Sequence, residues 1–395
     1  MPIGYLITAA LAAALVFVPL TPLRFQGFLG VMALRLGLVS IELPLLPLYW
    51  LTASTLIAVA QDDLAGPVGW TAFALVTLTV AMLVVFLRRG LQARALVERY
   101  AGEKPPLSIA RHLAGGLYMR RRGVERVANI RYGDAGDRNL LDVYRHRSHP
   151  ANAPTLVYWH GGGYYSGRKN REARSLLHRL ASQGWVCVSA NYRLRPSATF
   201  TDHLVDAKKA IAWVREHGHA YGADPATVFV AGGSAGAHMA SIAALTPNEP
   251  ALQPGFDDAD TSVSGAICLY GYYGNYYGLD EHSSPMAHIH RDAPPFFLAH
   301  GDRDSMVPVE SARLFADRLR DASAQPVAYL ELPGAQHSFD LFHSLRFEAV
   351  IHAIETFTAR VRGTRSQTTE LGGDQTTTVA PQAIHSTRLQ KNEAH

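Results

Sequence analysis

The stretch from Thr227 to Leu245 reads TVFVAGGSAGAHMASIAAL. Its first residues form a short apolar run of β-branched and aromatic side chains, the pattern of a buried strand. Its last residues are small and apolar and suit a helix packed tightly against a sheet. Between them, G-G-S-A-G (Gly232 to Gly236) leaves little room for anything but a sharp strand-to-helix turn. A serine on such a turn is held out at the end of the strand, and the glycines let neighbouring chains approach closely. The amides at the start of the helix then face whatever the serine attacks. The pentapeptide alone is a weak signal, because glycine and serine also cluster in ordinary turns. The strand before it and the helix after it make Ser234 the candidate nucleophile.

Working outward, strand-like runs occur at Leu140–Tyr144, Thr155–Trp159, Trp185–Ala190, Thr227–Ala231, Gly265–Tyr270, Pro295–His300 and Val327–Leu332. Helical patterns lie between several of them, at Arg171–Ser182, Thr201–His217, Ala235–Leu245, Val309–Asp321 and Ser344–Arg362. Strands alternating with helices predict an α/β domain with a mainly parallel sheet covered on both faces. Ligands of such sheets bind beyond the carboxyl ends of the strands, and the candidate motifs all follow strand ends.

Upstream, His160-Gly161-Gly162-Gly163 directly follows the run TLVYW. Three consecutive glycines cost conformational entropy, and a flexible loop is their plain reading. The alternative is a backbone whose bare N–H groups must reach a developing negative charge with no Cβ in the way. At the third strand of a hydrolase sheet this is the place for an oxyanion loop, with His160 bracing it. Downstream, a serine nucleophile needs a base and an acidic residue that orients the base. The segment HGDRDSMVP offers Asp302 and Asp304, and LPGAQHSF offers His337. Of the 18 histidines, His337 stands out because it lies in a short loop just past a strand, whereas His343 opens a helix.

The N-terminal region has another character. The chain has 395 residues, 48% of them hydrophobic. From Pro2 to Leu87, however, the only charged side chains are Arg24, Arg35, Glu42, Asp62 and Asp63. Val68–Leu87 carries no charge and is long enough to cross a hydrocarbon core. Ile41–Ala60 is nearly as apolar, with Pro44 and Pro47 near one end, and Ile3–Leu20 is a third run at the short limit. The first run lacks the basic flank of a cleaved signal, so it is expected to be retained. Residues 1–90 are therefore expected to form a transmembrane helical region of about three spans, followed by a basic juxtamembrane linker over 91–122. The catalytic domain is expected over 123–362 and a disordered tail, rich in Thr, Gln and Ser, over 363–395.

Arg88, Arg89, Arg94, Arg99, Lys104, Arg111 and the triplet Arg120 to Arg122 follow the last apolar run. That excess predicts an integral membrane protein with its catalytic domain on the cytoplasmic side. The bilayer is thus an expected partner. Nucleic acid is not, because the positive charge is juxtamembrane and lacks interleaved aromatics. Cys187 and Cys268 both lie in apolar runs and read as buried free thiols.

The stretches H-G-G-G-Y at His160–Tyr164, N-Y-R-L at Asn191–Leu194, G-G-S-A-G, and G-D-R-D-S-M-V-P at Gly301–Pro308 carry a resemblance. From about Val124 to Arg362 the chain resembles the hormone-sensitive-lipase and carboxylesterase branch of the α/β-hydrolases. The resemblance implies a triad of Ser234, His337 and Asp304, with Asp302 outside it. It implies an oxyanion hole from Gly162, Gly163 and the Ala235 amide, within a loop that starts at His160 and Gly161. It also implies a structural role for Asp206. Two positions depart from that branch, Gly233 in place of an acidic residue and Ser197 in place of a glutamate. Both tilt toward small esterases and arylformamidase-like hydrolases.

Spans joined to such a domain resemble membrane-associated carboxylesterases of actinobacteria. The implied activity is hydrolysis of a small ester or lipid through an acyl-enzyme, with no metal or organic cofactor. An amidase, an acyltransferase or, less readily, a peptidase uses the same triad. Tyr164, Tyr165, Tyr270, Tyr272, Tyr273, Tyr276 and Tyr277 follow strand ends on the same side and are candidates either for the substrate pocket or for plain packing.

Overall fold

The computed structural model describes residues 2–18, 27–114, 116 and 121–371. Arg24, Arg120 and the tail from 372 onward therefore lie outside the described residues. Four apolar helices come first: α1 (Pro2–Phe17), α2 (Gly27–Glu42), α3 (Leu45–Ala60) and α4 (Pro67–Ala101), followed by the short α5 (Ile109–Leu113).

The chain after them contains one eight-stranded sheet in the order β1-β2-β4-β3-β5-β6-β7-β8. Its strands are β1 (Val124–Arg131), β2 (Leu140–His146), β3 (Ala153–Trp159), β4 (Val186–Ala190), β5 (Ala223–Gly233), β6 (Gly265–Leu269), β7 (Phe296–Gly301) and β8 (Val327–Leu332). β1 and β2 run antiparallel to their neighbours, and the pairings from β4 through β8 are parallel. The mainly parallel sheet expected from the sequence is present.

Side chains alternate across a strand, and both faces here are buried. On β5, Val228 and Val230 enter one core, and Phe229 and Ala231 enter the other. The first core is closed by α7 (Phe200–His217), α8 (Ala235–Leu245) and α9 (Val309–Ala322). The second is closed by α6 (Arg174–Ser182) and α10 (Leu345–Leu371). Cys187 and Cys268 are buried free thiols, as their apolar runs suggested. β1 escaped sequence reading because VERVANIR has no buried residue; it is a polar edge strand.

Three differences from the sequence reading concern the N-terminal region and the tail. Among the described residues, one helix, α4, is long and apolar enough to cross a membrane. The pair Arg35–Glu42 and Leu45–Ala60 qualifies as a second only if its 84° bend is counted within one broken span. The bend falls at Leu43–Pro44, because the Pro44 ring cannot continue the helix before it. Pro47 is tolerated because the first turn of α3 has no N–H partner to lose. Described as a helix over Pro2–Phe17, α1 is shorter than a span.

The second difference is the linker. No break occurs at residue 90, because α4 runs on to Ala101. Its buried residues are Gly69, Ala72, Val76, Thr79, Leu83, Phe86, Gly90, Ala93 and Val97. Steps of three and four alternate along this stripe, the 3.5-residue period of a helix with one continuous packed seam. The first part of the seam packs within the N-terminal bundle, and Ala93 and Val97 pack in the second core of the sheet. Ala93 and Val97, expected to lie in a connector, are thus packed against the sheet. The arginines on the other faces of α4 hid the stripe from a reading of composition. A second tie is the buried ion pair of Glu42, at the end of α2, with Arg346 on α10.

The third difference is at the C-terminus. α10 passes the expected end at Arg362 and continues to Leu371. Gly363 does not take the left-handed conformation that would end the helix. The Thr364 hydroxyl bonds back to Arg360 O at 3.0 Å instead.

Candidate active site

Ser234 lies between β5 and α8 with φ 53° and ψ −118°. A non-glycine residue at positive φ is strained, and it persists only where its surroundings enforce it. The Ser234 N–H donates to Leu269 O of β6 at 3.0 Å. A Cβ at Gly236 would sit 2.1 Å from Trp159 O, so the start of α8 is pressed against the end of β3. That contact sets the H-G-G-G loop beside the serine: a Cβ at Gly161 would be 3.1 Å from Ser234 Cβ.

The three loop glycines are not equivalent. The Gly161 N–H donates to Glu172 Oε2 at 2.5 Å. The N–H groups of Gly162, Gly163 and Ala235 donate to no acceptor among the described residues. Gly162 has φ 107°, and a Cβ there would lie 2.2 Å from Ser166 O, so only glycine fits. His160 is fully buried; its Nδ1 donates to Gly161 O at 2.7 Å, and its ring stacks on Tyr192 at 4.5 Å. Burial lowers its pKa to about 4, so it stays neutral and braces the loop.

His337 is buried in the loop after β8, with Nδ1 2.7 Å from Asp304 Oδ2. The other Asp304 oxygen accepts the N–H groups of Met306 (2.9 Å) and Val307 (2.8 Å). Burial alone would raise the pKa of Asp304. The imidazoles of His337 and His300 outweigh it and hold the carboxyl well below the usual range. Asp302 does something else: its Oδ1 accepts Gly334 N–H at 2.6 Å and ties the Asp304 loop to the His337 loop. Asp206 is buried and takes the N–H and the guanidinium of Arg193.

Tyr270 stands between the serine turn and His337. Its ring meets the imidazole edge-on at 4.7 Å, and a Cβ at Gly233 would lie 2.3 Å from its hydroxyl. An acidic side chain before the nucleophile therefore has no room in this chain. Tyr270 donates to Asp340 Oδ1 at 2.5 Å, and Asp340 Oδ2 takes Tyr158 (3.2 Å) and Ala173 N–H (3.0 Å). Burial raises the pKa of both Asp340 and Glu172, and the Asp340 carboxylate raises Glu172 further.

Glu172 and Asp340 were not singled out in the sequence, and Tyr270 was singled out only as one of seven tyrosines that could line a pocket or pack. Glu172 sits among arginines in RKNREAR and reads there as a solvated surface charge. Of the other tyrosines, Tyr164, Tyr273 and Tyr276 are packing: Tyr164 bonds His238 at 2.8 Å, Tyr273 stacks on Phe315, and Tyr276 bonds His203 at 2.9 Å. Tyr165, Tyr272 and Tyr277 remain exposed, with the Arg195 guanidinium 4.3 Å over Tyr277 and 4.8 Å over Tyr165. The Tyr277 hydroxyl donates to Gly163 O at 2.8 Å, which puts this rim against the glycine loop.

Comparison with known proteins assigns the family. The family described as BD-FAE matches residues 141–272 and 266–319. A Mycobacterium tuberculosis protein named "Probable carboxylic ester hydrolase LipM" is 37% identical over 94% of this chain and 96% of its own. This chain belongs to the α/β-hydrolase esterases of the hormone-sensitive-lipase type. The esterase is also 41% identical to esterase LipQ of the same organism, over 62% of its own length and 65% of that protein. Among solved structures, butyrate-bound esterase 2 of Thermogutta terrifontis superposes with a TM-score of 0.52 at 26% identity. The match covers 61% of the esterase and 95% of that chain.

Proposed function

We propose that the esterase cleaves carboxylic esters through an acyl-enzyme on Ser234, while anchored to a membrane by its N-terminal helices. His337 takes the Ser234 proton as the hydroxyl attacks the ester carbonyl, and Asp304 holds the imidazole and stabilises its charged form. The carbonyl oxygen, as it becomes negative, is received by the unused amides of Gly162, Gly163 and Ala235. His337 then protonates the leaving alcohol and activates water to release the acid. The observation that carries this reading is the set of three uncommitted amides around a serine held at positive φ, beside a buried imidazole–carboxylate pair.

The membrane part rests on two observations. Trp70, Phe73, Leu78 and Val84 are exposed on α4, opposite its packed seam, as an apolar belt suited to lipid. The Arg88–Arg111 segment that follows is basic, which favours a cytoplasmic catalytic domain. The exposed Tyr165 and Tyr277 form one wall of the entrance for the acyl or alcohol group.

Nitrophenyl esters of graded acyl length, assayed on the full chain and on Ser234→Ala, test the chemistry. The alanine variant should lose turnover by several powers of ten and no longer take a fluorophosphonate label. Turnover that survives in Ser234→Ala refutes the acyl-enzyme. A reporter fused after Arg122 tests the orientation, and an extracytoplasmic signal refutes it.

A further inference from the structure

A second cluster of titratable side chains lies away from the serine, where the juxtamembrane segment meets the start of α10. His112 of α5, His343 and Glu348 turn their polar atoms toward one another. His112 Nε2 is 3.4 Å from Glu348 Oε2, and His343 Nε2 is 3.4 Å from Glu348 Oε1. His343 and Glu348 are buried. His112 Nε2, His343 Nε2 and Glu348 Oε2 are buried atoms with no hydrogen-bond partner among the described residues. Three orphaned polar atoms at one point are costly unless something satisfies them.

The tautomer sharpens the problem. His112 Nδ1 is 2.9 Å from Ser108 O, and a carbonyl can only accept, so the ring hydrogen is on Nδ1. In the neutral ring Nε2 is then a bare lone pair aimed at a carboxylate oxygen, another acceptor. Either a proton or a cation must stand between them.

We propose that His112, His343 and Glu348 bind a zinc ion that clamps the juxtamembrane segment to the head of α10. Two imidazoles and one carboxylate are a common zinc set, and ligand atoms around a tetrahedral zinc with bonds of roughly 2.0–2.1 Å lie about 3.3 Å apart. The Nδ1–H to Ser108 bond is the outer-shell contact that orients a metal-bound histidine. Nitrogen donors select zinc over magnesium or calcium, which take oxygen shells. A small cavity beside His343 and Glu348 is lined also by Pro106, Arg121, Arg179, Ile351 and Glu355.

The clamp has a mechanical consequence. The His343 N–H donates to Gly116 O at 3.2 Å, so the two segments already run together. His343 lies six residues after His337, on the same loop-to-helix segment that carries Asp340. Zinc here fixes where that segment leaves the active site without entering the chemistry. Nothing in the proposal depends on the role of Ser234.

The test uses the full chain in detergent, purified without a histidine tag, stripped with 1,10-phenanthroline and titrated with Zn²⁺ or Mg²⁺. Zinc is expected to bind at about one ion per chain and raise the melting temperature, with magnesium doing neither. Cobalt in its place should give the visible bands of a tetrahedral site. His112→Ala and Glu348→Gln should each weaken zinc binding by roughly ten-fold or more. A stripped wild-type chain that binds no zinc overturns the proposal without recourse to any variant. Zinc binding that is unchanged in both variants also overturns it, by placing the ion elsewhere.

Discussion

The Nδ1 of His337 lies 2.7 Å from the Oδ2 of Asp304, and the carboxylate it meets has no solvent-exposed surface. Asp302, two residues away, points its carboxylate at Gly334 N–H instead. Asp304→Asn should therefore reduce kcat by about 10³–10⁴-fold, because the amide can present the wrong partner to the imidazole. Asp302→Asn should keep most of kcat and lower the melting temperature slightly. Steady-state kinetics on both variants decides it, and a dead Asp302 variant would reverse the two roles.

The depressed pKa of Asp304 also fixes a sign. A carboxyl whose folded pKa lies below its unfolded value contributes stability above the ordinary carboxylate range. That contribution is lost as pH falls through the folded value. Acid unfolding of Asp304→Asn should accordingly be less steep than that of the wild type, followed by circular dichroism below about pH 4.

Gly162→Ala should fold poorly or lose turnover, because φ 107° and Ser166 O at 2.2 Å both exclude a Cβ. If the chain folds, the loss should fall on kcat more than on KM, by about 10²-fold or more, as expected when an oxyanion donor is displaced. An unchanged kcat would remove the Gly162 amide from the proposed hole.

Glu172→Gln keeps an acceptor for Gly161 N–H but removes a carboxyl whose pKa burial and Asp340 raise. A carboxyl with a raised folded pKa stabilises the fold most at low pH. That stabilisation fades as pH rises from the ordinary carboxylate range toward the native value. The glutamine variant should show a flatter dependence of melting temperature on pH in that window and should retain turnover at neutral pH. Glu172→Ala, which leaves Gly161 N–H without an acceptor, should lose kcat. Equal behaviour of the two variants would deny the loop-positioning role.

The seam on α4 sets where the chain can be cut. A protein starting at Arg88 keeps Gly90, Ala93 and Val97, and Tyr100, whose ring packs edge-on against Phe297 at 6.4 Å. It should be soluble and should hydrolyse short esters at close to the full-length rate. One starting at Gly116 uncovers that face of the second core. Losing the buried Val97 alone costs about 1.5–3 kcal/mol, so its melting temperature should drop by several degrees or more. Equal melting temperatures for the two proteins would show that the end of α4 is dispensable.

The amino-acid sequence by itself determined the fold class, because buried strands and amphipathic helices have periods that survive in one dimension. It also marked the serine turn, the glycine loop and the histidine and aspartate loops, since each needs residue types that few other local structures require. Which of two aspartates meets His337, and which of three glycine amides is already taken, were decided by loops approaching in space. Glu172 and Asp340 come together from 168 residues apart, and only packing reveals that their carboxyls are neighbours. The apolar run at Val68–Leu87 was legible by length and composition, but its continuation into the hydrolase core was not. From Gly90 through Ala93 to Val97 the seam places only small or medium residues on one face of an arginine-bearing stretch, and burial is a property of what packs against that face. Composition counts every face of a helix, whereas the fold uses one.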